Sequence, residues 1–226
     1  MIGIITAMES ELKNILDQTD LQKKFTRGGS TFYLGYINKK SVCLVLSGVG
    51  KVNAAVATTI MLESGDIDFV INSGIAGGLS PLKTKDVILP KHIYYGDVDA
   101  TNFGYKLGQV PGMPQKYVTD SKYRHLMYDI LTSKKIDFKV CDIYSSDSFI
   151  ANGVSLGENV PKTNVALEME GAAIAQTCYK FMVPFVSVRF ISDIIGSKEQ
   201  VENYKKFESE MSRMSADICL TLIKSL

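Results

Sequence analysis

The run Phe185-Val-Ser-Val-Arg-Phe-Ile-Ser192 constrains the fold more than any other stretch of the chain. A strand with one face in water alternates apolar and polar residues, whereas a nearly continuous apolar run needs both faces covered. Similar short, β-branched runs recur at Ile2 to Thr6, Val42 to Ser47, Phe69 to Asn72, Asp86 to Pro90, Lys139 to Tyr144 and Asn164 to Leu167. Helical periodicity separates several of them, at Ser10 to Asp17, Val52 to Glu63, Ser121 to Ser133, Gly171 to Phe181 and from about Gln200 to Leu226. Buried strands alternating with helices predict an α/β layered fold.

No repeat, low-complexity tract or Pro/Gly/Ser-rich linker divides the 226 residues, so a single domain over 1–226 is expected. The stretch from Lys91 to Lys116, rich in Gly, Tyr and Asp, lacks periodicity and is longer than an ordinary connection, which marks it as a functional or mobile loop.

Charge narrows the partners. Twenty-five Lys and Arg nearly cancel 24 Asp and Glu, with no basic run, so phosphate neutralisation along a nucleic acid gets no support and a small-molecule partner is expected. The N-terminus lacks the basic n-region and long apolar core of a signal peptide, and no apolar run approaches the roughly 18 residues of a membrane span. Four scattered cysteines with no paired spacing fit a reducing cytoplasm.

Several chemistries are excluded by their missing motifs. Gly48-Val-Gly-Lys51 is followed by Val52, not Ser or Thr, and Val45 stands where a phosphate loop needs its first Gly. Asn53 occupies the third glycine position of a dinucleotide-binding fingerprint. Only two histidines, His92 and His125, are present, without metal-ligand spacing, so neither a metal nor a cofactor is expected. No G-x-S-x-G elbow occurs.

Carboxylates remain, and they cluster at predicted strand ends. Glu9 and Glu11 follow the first strand, Glu168 and Glu170 follow Asn164 to Leu167, and Asp193 follows Phe185 to Ser192. In a parallel sheet these points lie along one edge, where open α/β sheets bind ligands. An acid at a helix start also caps it or complements its dipole, worth about 0.3–2 kcal/mol. Asp193 is the least like a cap: it follows an apolar strand, where desolvation raises a carboxyl pKa and suits a general acid. The segment Asn72-Ser-Gly-Ile-Ala-Gly-Gly78 reads either as a close approach of backbone to ligand or as a tight strand-to-helix turn.

Taken in order, Gly3-Ile-Ile-Thr-Ala-Met-Glu-Ser-Glu11, Ser47-Gly-Val-Gly-Lys-Val52, Asn72 to Gly78, Phe103-Gly-Tyr, Gly108-Gln-Val-Pro111, Ser146-Asp-Ser-Phe-Ile150, Leu167-Glu-Met-Glu170 and Val188-Arg-Phe-Ile-Ser-Asp193 form a pattern. It resembles, along the whole chain, the 5′-methylthioadenosine/S-adenosylhomocysteine nucleosidases of the purine nucleoside phosphorylase superfamily. The resemblance implies a three-layer α/β/α sandwich around a mixed, barrel-like sheet, a homodimer, and an adenine thionucleoside as substrate. It makes Asp193 the acid that protonates adenine, Glu11 the base that activates water, and Glu170 the ligand of the ribose hydroxyls. Arg189 would help hold the water and Glu170, and Ser192 would position Asp193. Phe149 would stack on adenine, with backbone near Ile150 at its edge, and Met169 would pack against the ribose. Ala76 and Gly77 would also touch substrate. Met8 and Val49 would surround the 5′-alkylthio group, closed over by the Phe103 to Pro111 loop of the partner subunit.

Three positions depart from the family pattern: Ile75 where Ser is usual, Gly96 where His is usual and Gly171 where Ala is frequent. The rival activities are a phosphorylase, futalosine hydrolysis, and nucleoside binding without turnover.

Overall fold

A computed structural model describes residues 1–151 and 156–226. Strand β1 (Ile2–Thr6) leads into helix α1 (Glu9–Leu16) and then a meander of β2 (Asp20–Arg27), β3 (Ser30–Ile37) and β4 (Lys40–Leu46). There follow α2 (Lys51–Glu63), β5 (Phe69–Gly78), β6 (Val87–Ile88), β7 (His92–Tyr95), β8 (Lys116–Val118) and α3 (Ser121–Ser133). The last part contains β9 (Phe138–Lys139), β10 (Asp142–Ser145), β11 (Val165–Glu168), α4 (Gly171–Phe181), β12 (Phe185–Ile194) and α5 (Gln200–Ser225).

The expected three layers are present because the apolar residues of the sheet divide by alternation. Ile4, Ile71, Val186 and Val188 face one side, where Leu12 and Ile15 of α1, Met127 and Leu131 of α3, and Met211 and Leu222 of α5 cover them. Ile5, Val70 and Phe185 face the other, under Ala57 and Met61 of α2 and Ala172 and Ile174 of α4. Burying both faces is what the unbroken apolar runs require.

The sheet is mixed, as expected, but its pairings follow an open path, β2-β3-β4-β1-β5-β11-β10-β7-β8, with β12, β6 and β9 branching from β5. The barrel is not closed. The hairpin β2–β3 has no counterpart among the expected strands, because β2 is almost wholly exposed and carries no apolar alternation. Its turn was the available signal: Gly28 and Gly29 both have positive φ (58° and 78°), the two-residue geometry that fits the twist of paired strands. Asn38 and Lys39 make the next turn the same way, at φ 47° and 64°.

Two further departures build the site. Asn72 to Gly78 is neither a turn nor a loop, since β5 runs through it to Gly78, paired along its length with β12. On its other side β5 has two partners. Parallel β1 covers it up to Ile5 opposite Asn72, and antiparallel β11 covers only its end, with Leu167 opposite Gly77 and Ala166 opposite Gly78. The carboxyl ends of β1 and β11 therefore point at each other across an unpaired stretch at Ser73 to Ala76. Glu11 and Glu170 flank a gap between facing strand ends and Asp193 stands on β12 on the other side of β5, so the three acids do not lie along the edge of a parallel sheet.

Candidate active site

A strand that loses its partner exposes peptide groups which must be satisfied some other way. In the gap, the N–H of Ile75 donates to Oε1 of Glu11 at 3.2 Å, while Oε2 accepts from the N–H groups of Ala7 (2.9 Å) and Met8 (3.1 Å). Glu11 is the third residue of α1, so the capping role is real, but the same buried carboxyl also reaches the centre of the sheet. Glu9 stays exposed. Burial raises the Glu11 pKa, opposed by the Arg189 charge and the three backbone donors.

The two acids after β11 divide the capping and cavity roles between them. Glu168 caps α4: its Oε2 accepts from the N–H groups of Glu170 (3.1 Å) and Gly171 (2.7 Å), and its Oε1 from Ser145 Oγ. Arg189 Nη2 also donates to Glu168 Oε2 at 2.6 Å and to Asn72 Oδ1 at 2.5 Å. The partner of Arg189 is thus Glu168 rather than Glu170. Glu170 instead lies in the gap, where Oε1 accepts from the N–H of Gly50 at 2.8 Å. Burial first, then the neighbouring Glu168 charge, push its pKa up to about 8, which favours the protonated form, while the Arg189 charge and the Gly50 N–H oppose the shift.

Asp193 lies within β12, just past a register shift between Ile191 and Asp193. Ser192 Oγ donates to its Oδ1 at 2.6 Å. Burial raises the Asp193 pKa, opposed by hydrogen bonds from Ser192 and Gln200.

Glu11, Glu170 and Asp193 line one small cavity of about 90 Å³. Met8, Val49, Ala76, Gly77, Phe149, Met169 and Ser192 line it too. Ile150 lines an adjoining cavity shared with Phe149, Met169 and Asp193. Arg189 lies buried, its Nη2 bound to Asn72 and Glu168.

Phe103 and Pro111 are not brought to this cavity. Both are exposed, Phe103 at 82% in a short turn of 3₁₀ helix, Thr101–Phe103. Ile75 lines the cavity while also packing in the core beside α5.

Tyr204 was missed by sequence reasoning. It projects from α5 into the cavity, its ring edge-on to Phe149 (centroids 5.4 Å apart) and its hydroxyl 3.3 Å from Met8 Sδ. Nothing in the periodicity of a long amphipathic helix distinguishes it from a core residue. Gly74 explains part of the glycine-rich pattern. A Cβ there would collide with the Arg189 guanidinium and the Glu11 carboxyl, so the close approach of the two to the strand requires glycine.

Comparison with known proteins shows the family of the chain. The family model described as the phosphorylase superfamily matches residues 1–224. The 5′-methylthioadenosine/S-adenosylhomocysteine nucleosidase of Staphylococcus carnosus is 41% identical, each chain covered in full. Among solved structures, the nucleosidase of that name from Neisseria meningitidis, in complex with methylthio-immucillin-A, superposes with a TM-score of 0.92 at 33% identity, covering 100% of this chain and 99% of that one. The S-adenosylhomocysteine nucleosidase from Streptococcus pyogenes gives 0.92 at 35%, covering 100% and 96%. This chain belongs to the phosphorylase superfamily and, within it, to the 5′-methylthioadenosine/S-adenosylhomocysteine nucleosidases.

Proposed function

We propose that the chain hydrolyses the N-glycosidic bond of 5′-methylthioadenosine and S-adenosylhomocysteine, releasing adenine and the thioribose product, with residues 1–226 acting as one domain. The observation that carries this reading is a cavity lined by Glu11, Glu170 and Asp193 and, among the described residues, by no lysine or arginine. The names of the relatives support the choice of substrate.

Cleaving the bond between ribose and adenine passes through an oxocarbenium-like state, so the leaving base must be neutralised and a water delivered to the sugar. Asp193, whose burial favours the protonated form, gives its proton to adenine N7 as the bond to C1′ breaks. Glu11 takes a proton from the water that attacks C1′, and its burial makes its carboxylate a stronger base. Glu170 holds the ribose hydroxyls, and Phe149 and Met169 pack against base and sugar. Met8, Val49 and Tyr204 offer apolar and thioether surface suited to a poorly hydrated alkylthio group.

Phosphorolysis needs cations for the incoming anion. The nearby Arg189 is already committed to Glu168, which favours water as nucleophile.

The test is incubation of the purified protein with methylthioadenosine, adenosylhomocysteine and inosine, with and without phosphate. Adenine is expected from the first two regardless of phosphate, and Asp193→Asn and Glu11→Gln are each expected to lose at least about 100-fold in turnover. A requirement for phosphate, or undiminished turnover in either variant, sinks the reading.

The same reading includes a homodimer in which the Phe103 to Pro111 loop reaches the partner's cavity. Exposed Val49, Val52 and Phe103 support it as apolar surface wanting cover, and sedimentation of the purified protein tests it. Four buried, unpaired cysteines fit a reducing cytoplasm. Among the described residues no helix is long and apolar enough to cross a membrane.

A further inference from the structure

Gln200, the first residue of α5, is a carboxamide only 2% exposed and has no part in the chemistry above. Its Oε1 accepts from the N–H of Gly196 at 3.0 Å, and its Nε2 donates both to the Ile150 carbonyl and to Asp193 Oδ2, each at 2.8 Å. A peptide N–H can only donate, so Oε1 must face Gly196 and the NH₂ must face the two oxygens. The network therefore fixes the orientation of the amide.

These bonds tie together three segments: β12 with its acid, the turn from β12 to α5, and the stretch after β10 that carries Phe149. Asp193 follows a register shift, where the ladder holds it less regularly. Its Oδ1 is held by Ser192, which moves with it along the same strand, and its Oδ2 by Gln200, which comes from another element. Gln200, Asp193, Ile150 and Phe149 also line one cavity.

We propose that Gln200 is a positioning residue for the general acid: its NH₂ group sets the Asp193 carboxyl and the Ile150 carbonyl side by side, so that both address the departing base. The proposal rests on the reading of Asp193 as that acid. Misplacing a reacting group by a fraction of a bond length is costly in rate, which gives such a tether its value. Its signature lies in pH. A donated N–H favours the carboxylate, so removing it raises the proton affinity of Asp193 and carries the protonated, active form to higher pH. The other charged or titratable groups around the cavity, Glu11 on α1, Glu168 and Glu170 at the end of β11, Arg189 on β12 and Tyr204 on α5, are unchanged by substitution at Gln200.

The experiment measures kcat and KM against pH with methylthioadenosine for Gln200→Met, which keeps the length and removes the polar contacts, and for Gln200→Glu, which keeps an acceptor for Gly196. Asp193→Asn serves as control. In Gln200→Met, kcat is expected to fall about tenfold or more, with KM moving less and the alkaline limb of kcat/KM shifting to higher pH. Gln200→Glu moves that limb at least as far, because it adds negative charge. An alkaline limb unmoved in both variants overturns the proposal whatever happens to kcat, since a merely structural role lowers the rate without moving the limb. Full turnover by Asp193→Asn overturns the proposal together with its premise, and inactive Asp193→Asn beside unmoved limbs overturns the proposal alone.

Discussion

Phe69–Asn72 and Ser73–Gly78 are halves of one strand, with opposite tasks. The first half is apolar up to Asn72 and flanked by β1 and β12, and it works as ordinary core. The second half is made of small residues apart from Ile75 and lacks a strand partner from Ser73 to Ala76 on one side, where Glu11 takes its place. The difference teaches that the site is an interruption of the sheet: where the ladder stops, side chains gain access to backbone donors, and burial is retained.

That contrast can be broken most forcefully at Gly74. Gly74→Ala drives a methyl group into Arg189 and Glu11, and turnover is expected to fall by about 100-fold or more, consistent with the cost of displacing a reacting group. Steady-state kinetics check it, and an active Gly74→Ala enzyme would contradict the crowding described. Val70→Ala, in the other half, is the mirror image. It should cost about 2 kcal/mol in denaturant unfolding, while the folded fraction keeps its kcat.

A smaller effect concerns charge in the gap. The Glu170 carboxyl has its pKa raised to about 8 from an ordinary 4.5, so the folded state binds the proton more tightly than the unfolded chain. Its contribution to stability is whole below about pH 4.5 and is lost as pH rises through about 8. Glu170→Gln should therefore unfold at a higher temperature than the parent at pH 9, with the advantage shrinking towards pH 4. An advantage independent of pH would show that Glu170 does not titrate in this way. The smallest change expected is at the mouth: Phe149→Leu should raise KM by about threefold to tenfold, the worth of an aromatic contact.

The layers were legible because burial on two faces leaves a mark in composition. Ser121–Ser133 and Gly171–Phe181 have the bounds their sequences suggest, the former because Asp120 accepts from the N–H groups of Lys122 and Tyr123. Strand β2 was not legible, since its exposed face and edge position remove the alternation that marks a strand. The second half of β5 was misread for a different reason: glycine and serine are turn residues by propensity, and at Gly74 it is the contacts of Arg189 and Glu11 that explain why glycine stands in a strand. The acids were found by their place after strands. What each does could not be read there, because Glu168 and Glu170 are told apart by the partners the fold brings to them, helix N–H groups, Ser145 and Arg189 for the first and the Gly50 N–H for the second. Tyr204 and Gln200, one turn apart on α5, carry no local mark at all.

The facing ends of β1 and β11 have a consequence for how the protein acquires activity. Residues 11, 170 and 193 meet only after β1, β5, β11 and β12 are all in register, and no contiguous half of the chain contains more than part of the gap. Helices form from local contacts and such long-range strand pairings come late. Catalysis is thus a property of the completed topology, and it does not return during refolding before the last closure of the sheet.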